Sequence, residues 1–313
     1  PPPASTGFPV EATAEPQSRP LSMRAVAEPL PPPAEPAPAP LPRALSAGLE
    51  QEVIESIRTE RLEIHLQPIV ALPQRKVRIY EALVMLRTRG GDMLGDGELR
   101  RLAETARIAP RVDTFVVVRA FQILKRLNTR NRDVGMLVRL SMASLVDNAF
   151  FREFQGFVAQ NRSLAEIVTF EFSAEDVRQI GPIEQESLEA IAELGYRFSI
   201  GGLADLRLDF QSLSQRGFRY ARVTADGLLG RAGSQPLRGD IHPIDLAGHL
   251  ARKGIELVVD GVESEAQVLD LLDYEIRLAQ GNLFSAPRLV RPEAMQTATA
   301  QPDAARAPAR AAR

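Results

Sequence analysis

The sequence predicts an α/β fold in which eight strands close into a (β/α)8, TIM-like barrel whose first strand runs antiparallel. Apolar, β-prone runs occur at 62–70, 77–86, 135–141, 167–172, 196–200, 219–224, 255–261 and 277–281. Between most of them, at 112–127, 150–160, 184–194, 244–254 and 264–273, apolar residues recur three or four apart, the spacing of an amphipathic helix. Strands separated by helices of that length favour a parallel sheet, and this many strands in one domain favour closure over an open sheet. The first two runs are joined only by ALPQRK, 71–76, too short for a helical crossover, so they pair as an antiparallel hairpin. Gly195 follows one helical stretch as a stop signal. No GxGxxG or GxxxxGK follows a strand, which argues against an open nucleotide-binding sheet.

Composition sets the outer bounds. The 313 residues are 44% hydrophobic and 25% charged, enough for a substantial core. A net charge of −2 gives no general field for nucleic acid or an anionic membrane, so an anionic ligand needs a local cluster of cations. There is no cysteine, which excludes disulfides, thiol catalysis and thiolate metal sites and suits a reducing cytoplasm. His65, His242 and His249 are too few and too scattered for a histidine-rich metal centre. No apolar run reaches the roughly 18 residues of a membrane span, so this segment is expected to make no membrane contact. Residues 1–43 hold 14 of the 24 prolines, and 1–44 reads as a disordered Pro/Ala-rich linker, a spacer rather than a recognition motif. Residues 45–295 form the expected barrel, and 296–313 a second disordered stretch rich in Ala, Arg and Pro. The chain opens on three prolines without an initiator Met, so an N-terminal portion, with any membrane anchor, is expected to precede it. The stretch 46–60 carries Leu49, Val53, Ile54 and Ile57 on one face, which suits either a dimerising helix or packing beneath the barrel.

Four short motifs lie at the ends of predicted strands: QPIV at 67–70, YEAL at 80–83, DGVE at 260–263 and AQG at 279–281. In this order and spacing they resemble the signature series of EAL domains, over roughly residues 50 to 295. The resemblance implies a barrel with an antiparallel first strand and a cyclic di-GMP site at the carboxyl ends of the strands. In active members, two divalent cations held mainly by carboxylates activate a water for attack on a phosphodiester.

Position by position, the resemblance implies a site that has lost this chemistry. Glu81 of the EAL motif and Glu171 in FEFS remain. Where the family has Asn on strand three, Arg139 stands in VRLS, with donors but no lone pair for a metal. The paired aspartates of strand five align with Gly201 and Gly202 of GGLADL. On strand six, Lys-Ile-Asp becomes Arg222, Val223 and Thr224, and the first Glu of EGVE becomes Asp260. With three aspartates lost and one arginine gained, the pocket is about four charges more positive than an active one. Glu81 and Glu171 are then expected to pair with Arg139 and Arg222 in place of metals, leaving no catalytic residue and no need for Mg²⁺. The family's EALxR arginine is replaced by Met85, while Arg87 has the strand parity to reach inward.

The cyclic di-GMP site implied by the resemblance comprises Gln67, Pro68, Glu81, Leu83, Arg87, Arg139, Glu171, Arg222, Asp260 and Gln280, with Glu263 and Gly281 as ligand contacts or scaffolding. The expected function is a catalytically inactive receptor for cyclic di-GMP that recruits partner proteins. The alternatives are a nucleotide-independent interaction scaffold and a residual phosphodiesterase. Among degenerate EAL proteins, the Pro-rich leader, the retained EAL motif and the lost aspartates resemble the alphaproteobacterial regulators of flagellar assembly. That narrower resemblance implies a cytoplasmic barrel, held at the inner membrane and cell pole by a preceding region, with flagellar or polar assembly proteins as partners and a possible homodimer.

Overall fold

The structure is a computed structural model that describes residues 43–59, 61–130, 134–231 and 233–290. Of the expected linker, only Arg43 and Ala44 are described, and they already belong to the first helix; the rest of 1–44 and the tail 296–313 lie outside the described residues. In chain order the elements are α1 (Arg43–Arg58), β1 (Leu62–Ala71), β2 (Lys76–Arg87), β3 (Met93–Leu94), α2 (Asp96–Thr105), α3 (Ala109–Arg130) and β4 (Gly135–Arg139). There follow α4 (Met142–Leu145), α5 (Asn148–Gln160), a 3-10 turn (Arg162–Ile167), β5 (Val168–Ser173), α6 (Ala174–Arg178), α7 (Pro182–Glu193), β6 (Arg197–Gly201), α8 (Phe210–Gln215) and β7 (Phe218–Thr224). The chain continues through α9 (Ala225–Leu228), α10 (Pro243–Ala251), β8 (Glu256–Asp260), α11 (Glu265–Asp273), β9 (Leu278–Gln280) and β10 (Arg288–Leu289).

The eight expected strands are all present and close into a barrel in the order β1, β2, β4, β5, β6, β7, β8, β9. β1 runs antiparallel to both of its neighbours, while every other barrel pairing is parallel. The reason is the one visible in the sequence: β1 and β2 are joined by a four-residue turn, 72–75, in which Arg75 takes a left-handed φ of 56°. The parallel strands are apolar on both faces, as β4 shows with Met136, Leu137 and Val138 all buried, because helices cover the outside and other strands the inside.

Two cores result. The larger lies between barrel and helices; the smaller plugs the barrel interior with Ile69, Ile79, Leu137, Val258 and Leu278. Above that plug, toward the carboxyl ends of the parallel strands, the inward positions turn polar, and this change of chemistry along the barrel axis positions the site. The helices begin on side-chain caps where the sequence offers them: Asp147 caps α5, and Ser264 with Gln267 forms a capping box on α11. Gly195, at φ 98°, ends α7 as its sequence position predicts.

Residues 46–59 pack against the flank of the barrel, on α2, α3 and the start of β1, rather than beneath it. Val53 of α1 is fully buried, Ile54 and Ile57 join the larger core, and the Glu52 carboxylate accepts the Arg89 backbone N–H at 2.6 Å. Val53, Ile54 and Ile57 of its apolar face are therefore engaged within the chain. Val53→Ala should cost about 2 kcal/mol by the usual cavity penalty, and chemical denaturation should remain a single transition with a lower midpoint. An unchanged midpoint would mean that α1 lies outside the cooperative unit.

Candidate functional site

The polar layer is built by alternation. Each barrel strand turns one residue inward just above the apolar plug, and around the ring these are Gln67, Glu81, Arg139, Glu171, Ser199, Arg222, Asp260 and Gln280. Gln67 and Glu81 are direct partners across β1 and β2, Arg139 and Glu171 across β4 and β5, and Glu171 and Ser199 across β5 and β6. Strands spaced in this way bring the side chains within hydrogen-bonding reach at the centre.

Arg222 occupies that centre. Its Nη1 donates to Glu81 Oε1 at 2.9 Å and to Glu171 Oε1 at 3.0 Å, and its Nη2 donates to Gln280 Oε1 at 2.6 Å and to Glu81 Oε2 at 3.2 Å. Asp260 closes the group at 3.3 Å from Nη2. Gln280 in turn donates to Glu81 Oε2 at 2.8 Å, and Ser199 donates to Glu171 Oε2 at 2.9 Å. Glu81, Glu171, Arg222 and Gln280 are all buried. Arg139 lies toward the mouth, its side chain one-third exposed, donating to Glu171 at 3.2 Å, to Glu81 at 3.4 Å and to Asp96 at 3.1 Å. The ion pairs expected between the two glutamates and the two arginines are thus present as one lattice.

The environment sets the titration of these groups. Burial pushes the Glu81 carboxyl up, but Arg222 and Arg139 outweigh it and hold it at about 2. Burial likewise disfavours the Arg222 cation, yet Glu171, Glu81 and Asp260 keep it well above the usual arginine range. Asp260 goes the other way: burial raises it to about 6, because the attraction of Arg222 is opposed by Glu81 and Glu171.

A cavity of about 320 Å³ opens above this layer, and Gln67, Glu81, Leu83, Arg139, Arg222, Asp260 and Gln280 all line it. Glu171 lies fully buried beneath, in contact with both arginines. Two expected residues are not brought here. Pro68 points to the opposite face of β1, beside Tyr80 and Phe284, because successive residues of a strand alternate sides. Arg87 has the inward parity, but β2 has by then left the ring to pair with β3, and the exposed Arg87 side chain points back to the Gly91 carbonyl at 3.5 Å. Glu263 and Gly281 also line the cavity. A Cβ at Gly281 would stand 2.0 Å from the Val262 carbonyl oxygen, so this glycine permits two backbones to meet.

Sequence reasoning missed Asp96, Arg100 and Asp113. Asp96 accepts from the Val84 backbone N–H at 3.0 Å and from Arg100 at 3.1 Å, in addition to Arg139; Arg100 reaches Asp113 at 2.9 Å, and Asp113 accepts from Ser144 at 2.6 Å. Two signals were available: the i, i+4 spacing of Asp96 and Arg100, and an aspartate at 113 between Val112, Val116 and Val117 on the buried face of α3.

The donor set bears directly on the two cations that the family resemblance implies. A guanidinium already spans the two surviving glutamates, so a dication between them would have to displace Arg222. At Gly201 a Cβ would stand 2.6 Å from Glu171 Oε1 and 2.8 Å from its Cδ, so Glu171 fills the space a side chain there would need. Among the described residues no group of three or more His, Cys, Asp or Glu side chains is arranged to hold a metal.

The opposed shifts of Glu81 and Asp260 predict a stability maximum on the acid side of neutrality. As pH falls from about 7 to about 5, the fold takes up a proton at Asp260 more readily than the unfolded chain, so stability rises; below about 4.5 the unfolded chain protonates Glu81 first, and stability is lost. Asp260→Asn should flatten the rise and leave the acid loss, as read from denaturation midpoints across pH. An unaltered rise in the variant would place its origin elsewhere.

Comparison with known proteins agrees with the fold. The chain is 28% identical over 251 residues to the cyclic di-GMP phosphodiesterase NbdA of Pseudomonas aeruginosa, an alignment covering 76% of this chain and 30% of that protein. It spans about a third of the length of the curated relatives it matches. Among solved structures, the EAL enzyme Bd1971 with cAMP and cyclic di-GMP bound superposes with a TM-score of 0.65 at 21% identity, covering 79% of this chain and 68% of that one. The FimX EAL domain of Xanthomonas citri in complex with cyclic di-GMP gives 0.64 at 18% identity, covering 79% and 96%. The family model for the EAL domain matches residues 50–287, and the chain belongs to that family.

Proposed function

We propose that this domain binds cyclic di-GMP without hydrolysing it and acts by recruiting partner proteins. The observation that carries the non-hydrolytic reading is the position of Arg222, whose guanidinium is hydrogen-bonded to both Glu81 and Glu171. A layer held by a guanidinium does not fit divalent cations, and without a metal-bound hydroxide a phosphodiester meets no activated nucleophile. The nucleotide reading is supported by the cavity at the carboxyl ends of the strands and by the relatives captured with cyclic di-GMP. At that mouth Arg139, exposed to one-third, is the cation placed to meet a phosphate.

A second reading has its own observation. Both arginines of the cavity are engaged by carboxylates, three on each, which favours a nucleotide-independent scaffold whose pocket is closed by its own ion pairs. The partner class follows in either case from the narrower resemblance to flagellar assembly regulators: flagellar or polar assembly proteins, met by a cytoplasmic barrel. Among the described residues no helix is long and apolar enough to cross a membrane, so attachment at the cell pole would come from outside them.

Calorimetric titration of cyclic di-GMP in EDTA, repeated in Mg²⁺, separates these readings. Equal binding in both buffers, with no linear product in Mg²⁺ or Mn²⁺ and at least tenfold weaker binding by Arg139→Ala, equivalent to about 1.4 kcal/mol, is the expected result. No binding in either buffer would leave the scaffold, whereas binding only with Mg²⁺ together with turnover would restore the phosphodiesterase.

A further inference from the structure

Arg139 touches three carboxylates of unequal standing. Glu81 and Glu171 lie deep and are each held by Arg222 as well. Asp96 sits at the first position of α2 and lines the cavity beside Arg139. It does not depend on Arg139: Oδ1 accepts from the Val84 backbone N–H at 3.0 Å and from Arg100 Nε at 3.1 Å, and Arg100 is steadied from behind by Asp113. The Asp96 carboxylate is therefore fixed in place whether or not Arg139 remains on it. Arg139, by contrast, is the most exposed of the three arginine side chains in the cluster, at 33% against 10% for Arg100 and 4% for Arg222.

A carboxylate and a phosphodiester present the same oxygen pair to a guanidinium and compete for its parallel N–H donors. Building on the receptor reading, we propose that Asp96 is a built-in competitor for Arg139, a positioning residue that sets the affinity of the cavity for a phosphate-bearing ligand. A phosphate approaching Arg139 from the cavity competes with Asp96 Oδ2, which accepts from Nη1 at 3.1 Å. Asp96 also adds negative charge to a mouth already lined by Glu81, Asp260 and Glu263. Arg100 moderates this competition, because the more Asp96 is neutralised by Arg100, the less tightly it holds Arg139.

Two substitutions in the same ion-pair chain should therefore move affinity in opposite directions. Asp96→Asn keeps an oxygen for the Val84 N–H while removing the charge, and should tighten cyclic di-GMP binding roughly tenfold, about 1.4 kcal/mol. Arg100→Gln leaves Asp96 with Arg139 as its one guanidinium and should weaken binding. Both variants lower the thermal midpoint, so a general folding defect would not separate them. The test titrates cyclic di-GMP in EDTA into the full chain and both variants. Opposite shifts support the proposal. Equal affinities, or shifts in the same direction, overturn it while the receptor reading stands. Silence from all three chains overturns the receptor reading and the competitor role together.

Discussion

The guanidinium of Arg222 lies where the inward residues of β2, β5, β8 and β9 converge, and the arrangement of the barrel mouth follows from it. Two glutamates buried side by side at the centre of a barrel are tolerable only with a cation between them, since an unpaired buried carboxylate costs several kcal/mol. Arg222 supplies that cation from within the chain. Gln280 and Ser199 satisfy remaining oxygens of the glutamates, so the layer is held by hydrogen bonds as well as by charge.

The lattice is not neutral. Glu81, Asp96, Asp113, Glu171 and Asp260 outnumber Arg100, Arg139 and Arg222, and burial raises both Asp113 and Asp260. Asp260, at the margin, is raised to about 6, while Glu81, with guanidiniums on two sides, is held at about 2. The cluster thus runs from the buried pairs of Arg222 to Arg139 at the rim, which meets solvent.

The barrel was legible because its signal is repeated. Each strand is a compact apolar run, each long helix carries a 3.6-residue stripe, and the short link at 71–76 dictates the antiparallel entry of β1. The short helices α4, α6, α8 and α9 escaped notice because four to six residues carry no period. α2 escaped because DGELRRLAET is half charged and buries only one strip, Leu99, Arg100 and Ala103, behind Asp96. Missing α2 meant missing Asp96, and with it the third carboxylate on Arg139. Parity alone also misplaced Arg87, since alternation states which side of a strand a residue faces but not where the strand leaves the ring.

By itself the sequence determined the fold class, the antiparallel first strand, the family and the inward positions of Gln67, Glu81, Arg139, Glu171, Arg222, Asp260 and Gln280. The fold class and the antiparallel strand rest on local periodicity, and the family and the site positions on the resemblance that four short motifs carry; neither needs knowledge of distant contacts. Only the tertiary structure decided which charges meet. Glu81 and Arg222 are 141 residues apart in the chain and 2.9 Å apart in space, and no spacing rule connects them. The pairing of the two glutamates with the two arginines was expected, but that Asp96 adds a third carboxylate to Arg139 was not, because such contacts depend on distances below about 4 Å, which closure of the barrel and the docking of α2 set.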